Sequence, residues 1–181
     1  MEIAELHELD VKIKSCDGCY LCRNIHQLPI WSPKVRYVLY TEHPFKEKPK
    51  FMKDFWKLAK EFSLEEEYFL QISTVQCFPD MNKRTKKYNR PSIIHRSECR
   101  KWFDEYIKII KPKKMIVFGN IPMEECIGEF KGITDHHGMV IKPRLNNRVV
   151  QTVLSLPPSI MKNNPKGKEK MKEVLRIFKE L

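Results

Sequence analysis

No apolar run in this 181-residue chain reaches the roughly 18 residues needed to cross a bilayer, and its opening, Met1 to Lys14, is charged rather than signal-like. The expectation is a soluble, cytoplasmic protein with no membrane partner. Internal repeats and low-complexity linkers are missing too, and the length is too short for two domains of ordinary size, so one domain over residues 1–181 is expected. Acidic residues are in short supply: 23 Asp and Glu face 34 Lys and Arg, a net charge of +11 that favours a polyanionic partner, nucleic acid first. The stretch from Asn82 to Arg90 concentrates that charge, with five cations (Lys83, Arg84, Lys86, Lys87 and Arg90), Tyr88 and no acid. Such a loop can neutralise phosphates and stack on a base.

What is present reads as alternating strands and helices. Val35 to Tyr40 is β-branched and aromatic, a buried strand; Phe51, Phe55, Leu58, Ala59 and Phe62 recur at helical spacing until Ser63 breaks the pattern. A second strand is expected at Tyr68 to Val75, and a helix from Glu98 to Ile110 that Pro112 stops. Lys114 to Gly119 is a short apolar strand, followed by a helix from Ile121 to Phe130. Extended stretches near Met139 to Ile141 and Arg148 to Leu154 precede the loop Leu156-Pro157-Pro158-Ser159, and Met171, Val174, Leu175, Phe178 and Leu181 stripe a final helix. This order argues an α/β fold, a three-layer α/β/α sandwich around a central, mostly parallel sheet, with ligand sites beyond the strand carboxyl ends.

Six cysteines in a reducing compartment point to metal ligation rather than disulfides. Cys16 and Cys19 form a tight pair, and Cys77 and Cys99 are remote singles that a packed fold can carry to the same centre, as an iron–sulfur cluster or a zinc site requires. Cys22 makes a second Cys-x-x-Cys pair with Cys19. Cys126 lies on an apolar helix face and reads as a small core hydrophobe.

The order Cys16-x-x-Cys19-x-Leu21, Glu42-x-Pro44 after a strand, Val75-Gln76-Cys77-Phe78-Pro79 after another, Asn89-Arg90, Cys99 and Ile116-Val117-Phe118-Gly119 resembles the iron–sulfur uracil-DNA glycosylases known as family 4. The resemblance covers nearly the whole chain and rests on order and spacing together. It implies a uracil-DNA glycosylase-like fold and a structural [4Fe-4S] cluster on Cys16, Cys19, Cys77 and Cys99, zinc being the alternative metal. It implies DNA as partner, a monomer, and excision of uracil or another damaged or modified base by base flipping and hydrolysis of the N-glycosidic bond. Glu42 matches the family's acidic loop residue and can orient water or stabilise a sugar with oxocarbenium character; Glu47 is a further loop carboxylate. Ser73 stands where the family has a base-recognising Asn. Ser159, Ile160, Met161 and Lys162 match its duplex-wedging loop, with Lys162 near phosphate. Arg84, Lys86, Lys87 and Arg90 are the other expected DNA contacts.

The departures from the family are as informative. Thr41 and Phe45 replace the two glycines of the acidic motif and His43 its small residue, which puts His43 and Phe45 among the substrate contacts and alters backbone approach. Leu156 stands at the histidine of the family's late His-Pro motif, and leucine cannot donate to a base oxygen. Losing one such donor costs about 2.7–4 kcal/mol, roughly a hundredfold to a thousandfold in rate. His137, beside His136, is the candidate replacement donor. Two readings follow: a pocket rebuilt for another base, or a catalytically inactive iron–sulfur nucleic-acid-binding module of the same fold.

Overall fold

The computed structural model describes residues 3–45, 48–128, 132–162 and 164–181. Glu47 and Phe130 lie outside those residues. The sheet is built from β1 (Tyr37–Thr41), β2 (Phe69–Ser73), β3 (Lys114–Phe118), β4 (Val140–Ile141) and β7 (Gln151–Ser155), in the order β2-β1-β3-β7-β4. Its first four strands are parallel, with Tyr37 opposite Phe69 and Lys114, and Lys114 opposite Gln151; only β4 runs antiparallel, against β7. Between them β5 (Arg144–Leu145) and β6 (Arg148–Val149) form a separate hairpin.

Alternation along each strand fills two cores. Val38, Tyr40, Met115, Val117 and Leu154 face one layer, where α1 (Ile3–Lys14) supplies Leu6, Leu9 and Ile13, α3 (Ile93–Ile110) supplies Phe103, Tyr106 and Ile107, and α4 (Asn120–Ile127) supplies Met123. Leu39, Phe69, Ile116, Phe118 and Val153 face the other, against Phe55 and Trp56 of α2 (Lys50–Lys60) and Met171, Val174 and Phe178 of α5 (Pro165–Glu180). This is the expected α/β/α sandwich; strands buried on both faces explain their near-continuous apolar sequences. Across the first core the Tyr40 hydroxyl donates to Glu125 of α4. Burial is the main force raising the Glu125 carboxyl above its usual range, with Arg100 and Arg96 pulling the other way.

Several element bounds differ from the sequence reading for local reasons. Helix α3 starts at Ile93, five residues before Glu98, because the Ser92 hydroxyl caps it by accepting from the His95 backbone N–H at 3.3 Å. Its first turn carries Ile93 and Ile94, 75% and 70% exposed, so the apolar stripe does not mark it. Arg148 to Leu154 splits between two strands, since Asn146 and Asn147 take positive φ angles of 47° and 61° and turn the chain into the hairpin.

The 3-10 turn Pro158–Met161 is pressed onto α5 at Gly167. A Cβ built there would stand 2.1 Å from the Ile160 carbonyl oxygen, a contact with backbone that no rotamer relieves. Gly167→Ala is therefore expected to destabilise the protein by about 1–3 kcal/mol in urea unfolding, the usual range for overpacking.

Candidate active site and thiol centre

Several buried polar side chains gather at the carboxyl ends of β1 and β2. Thr41 ends β1 and Ser73 ends β2; their hydroxyls meet at 3.0 Å, and both residues are buried. The Thr74 backbone N–H donates to Thr41 O at 2.9 Å, and the Thr74 hydroxyl to Glu42 O at 2.5 Å. Gln76 donates its side-chain amide to Ser73 O at 2.7 Å. The two strand exits are thus stitched together. Over them lies a cavity of about 60 Å³, lined by Thr41, Ser73, Gln71 and Gln76 on the polar side and by Pro44 and Phe45 among its apolar walls. A larger groove of about 520 Å³ lies at the opposite edge of the sheet, between α1 and the end of α3, away from these groups.

Glu42 stands at the rim. Its carboxylate is 3.7 Å from Arg90 Nε, which ties the loop after β1 to the basic stretch. That stretch is an ordered turn: Asn82 Oδ1 accepts from the N–H groups of Arg84 and Thr85 at 3.0 Å, Asn82 N–H donates to Lys87 O at 2.8 Å, and Lys86 has φ 54°. Arg84, Lys86, Lys87 and Arg90 all face solvent. Tyr88, half-buried, anchors the turn inward, with its ring 5.6 Å from Phe78 and 5.5 Å from His43. From there rings continue through His43 to Phe45 at 6.0 Å and on to Phe51 at 5.6 Å. A row of five rings therefore runs from the basic turn to the first turn of α2, past the carboxylate.

Other expected site residues are placed elsewhere. The His137 Nδ1 accepts from the Leu156 N–H at 3.1 Å, and Nε2, which then carries the proton, donates to Lys170 O at 3.2 Å. Both ring nitrogens are thus engaged with backbone, and His137 ties the chain after β7 to α5. Burial depresses its pKa. Ile160, expected to wedge into a duplex, is half-buried against the second core together with Met161, while Ser159 and Lys162 are exposed.

A family description, the uracil DNA glycosylase superfamily, matches residues 31–179. The chain belongs to that superfamily. Comparison with curated proteins gives no match. Superfamily membership makes DNA the class of partner and base excision the class of chemistry, and among the described residues no helix is long and apolar enough to cross a membrane.

The fold also gathers thiols next to the chain that follows β2. Cys77 and Cys99 are buried, pack with Leu21, Val75, Cys19 and Trp102, and no disulfide joins any of the cysteines. Burial pushes the Cys77 thiol up to about 12, with added repulsion from Cys99, Cys19, Cys16 and Cys22; burial likewise raises Cys99 to about 11 while the Gln76 backbone N–H bonded to it works the other way. Among the described residues no group of three or more His, Cys, Asp or Glu side chains is arranged to hold a metal ion. The chemistry of the donors, four further thiols within electrostatic reach of Cys77, nevertheless suits a thiolate-bound metal. Cys126 packs against the first core, and burial pushes its thiol up to about 12.

Sequence reasoning missed Phe51 and Phe78 of the aromatic row and Gln76 of the cavity. Phe78 and Gln76 flank Cys77 directly, so the signal lay in the residues beside a candidate ligand. The depressed pKa of His137 has a stability consequence. Its contribution is complete above the unfolded-state value of about 6.5 and is lost as pH falls through the lower folded value, because the unfolded chain then binds the proton more readily. Thermal unfolding of His137→Gln is expected to show a stability deficit at neutral pH that shrinks on acidification.

Proposed function

We infer that this member of the superfamily removes uracil or another damaged or modified base from DNA by flipping the nucleotide and hydrolysing its N-glycosidic bond. The observation that carries the reading is the Glu42–Arg90 contact, which sets the loop carboxylate, the exposed cations and the aromatic row on one rim above the Thr41–Ser73 cavity. Glu42 orients the attacking water or stabilises positive charge on the sugar as the bond breaks. His43, Phe45 and Tyr88 supply ring faces for the extruded base, and Ser73 and Gln76 the polar groups that read its edge. Lys86, Lys87, Arg84 and Lys162 neutralise phosphates, with Ile160 and Ser159 meeting the strand at the turn onto α5.

The thiol centre is read as a structural metal site on Cys16, Cys19, Cys77 and Cys99, a [4Fe-4S] cluster by resemblance to family 4, with zinc as the alternative. Bound there, the metal ties the segment before β1 to the segment after β2. A monomer acting in the reducing interior of the cell completes the reading.

A second reading, a DNA-binding module without catalysis, is favoured by one observation: Leu156 offers no side-chain donor and its N–H is already taken by His137. A panel of duplex and single-stranded oligonucleotides carrying uracil, deaminated purines or modified pyrimidines, followed by alkaline cleavage at abasic sites, separates the two. Product on at least one base, lowered about a hundredfold or more in Glu42→Gln, is expected of the enzyme; salt-sensitive binding with no product on any substrate would establish the module. In either case Lys86→Ala/Lys87→Ala is expected to weaken binding across sequences and reduce the slope of log affinity against log salt by about 2, near 1 per lost phosphate contact.

A further inference from the structure

His26 carries a buried ring nitrogen that nothing in the protein accounts for. Its Nδ1 lies 3.0 Å from the backbone carbonyl of Lys14, and a carbonyl can only accept, so Nδ1 bears the hydrogen and Nε2 keeps a free lone pair. That Nε2 is buried and has no hydrogen-bond partner among the described residues. An orphaned acceptor of this kind is costly to keep inside a protein unless something fills its lone pair.

The surroundings identify what. His26 pairs with Cys77 in an isolated antiparallel bridge, flanked by the Gln27 N–H to Gln76 O bond at 2.7 Å and the Phe78 N–H to Ile25 O bond at 3.1 Å. Because those bonds come from the neighbours, His26 and Cys77 are the close, non-hydrogen-bonded type of pair, with Cα atoms about 4.5 Å apart and side chains on the same face. On its other side the imidazole is held by the carbonyl two residues before Cys16. The ring therefore lies beside Cys77 and against the end of α1, two residues before Cys16. A histidine that ligates through one nitrogen characteristically donates the other N–H to a backbone carbonyl, which fixes the tautomer and aims the lone pair.

We propose that His26 is a nitrogen ligand of the thiol centre, coordinating through Nε2 beside Cys77 and taking one of the positions that an all-cysteine set would give to the Cys16–Cys22 segment. The proposal rests on the metal-centre reading above and makes that centre a mixed sulfur and nitrogen site. Softer thiolates and one imidazole suit zinc as well as iron, and in iron–sulfur centres imidazole ligation raises the reduction potential relative to thiolate alone.

The test uses the full chain, purified anaerobically and loaded in parallel with iron and sulfide, then reduced with dithionite to the paramagnetic state, or with cobalt as a paramagnetic substitute for zinc, and reads nitrogen hyperfine coupling by pulsed EPR. His26→Asn keeps a donor near the Nδ1 position for Lys14 O and lacks the distal nitrogen, so it separates ligation from mere support of the loop. The expected result is histidine nitrogen coupling in the loaded wild-type protein that is absent from His26→Asn. A loaded centre with no nitrogen coupling, or with coupling that persists in His26→Asn, would overturn the proposal while leaving the thiol centre standing. A wild-type protein that takes up neither iron nor cobalt would overturn the centre and the role of His26 together. The first readout is made on the wild-type chain and does not depend on the variant folding.

Discussion

Burial of the central strands on both faces is the constraint from which the rest of this molecule follows. Val38, Leu39 and Tyr40 of β1 and Met115, Ile116 and Val117 of β3 are all fully buried, so no residue along them can meet substrate. Polar chemistry is displaced to the points where the strands leave the core, and there Thr41 and Ser73 remain buried but satisfy each other. A parallel sheet sends β1, β2, β3 and β7 out at one edge. Loops distant in sequence therefore arrive together, and Glu42, the turn from Asn82 to Arg90 and the turn Pro158–Met161 follow strands that share that edge.

That same constraint decided what was legible in the sequence. Strands buried on both faces announce themselves as short apolar runs, and β1, β2 and β3 were recognisable within one or two residues. Helix α1 was not, because its three buried residues, Leu6, Leu9 and Ile13, are diluted by charge on every other face. The Asn146-Asn147 turn was hidden for a different reason: its signal is a pair of left-handed backbone angles, and the strands it joins are only two residues each. In the candidate site, spacing and resemblance brought Glu42, Ser73 and Arg90 forward individually. Only folding shows that Glu42 and Arg90 touch across nearly fifty residues, or that Tyr88 is a link in a row of rings instead of a free stacking platform. His137 was brought forward by a pair of histidines beside a lost donor, and only folding shows that its two nitrogens bond to the backbone at Leu156 and Lys170.

Retention and loss are unevenly distributed around the rim. The carboxylate and the cations stand where the resemblance to family 4 expects them, while His43 and Phe45 replace small residues of its acidic motif and the place of its late histidine is occupied by a leucine packed toward the first core.

Gln76 and Cys77 are neighbours in the chain but serve opposite ends of the molecule's chemistry. The Gln76 amide holds Ser73 O and lines the cavity, its backbone N–H reaches the Cys99 sulfur, and the next residue brings the Cys77 thiol into the gathered cysteines. A single peptide unit thus joins the cavity to the cysteines. Whatever moves those sulfurs, whether oxidant, chelator or acid, pulls on a lever whose short arm is the floor of the pocket.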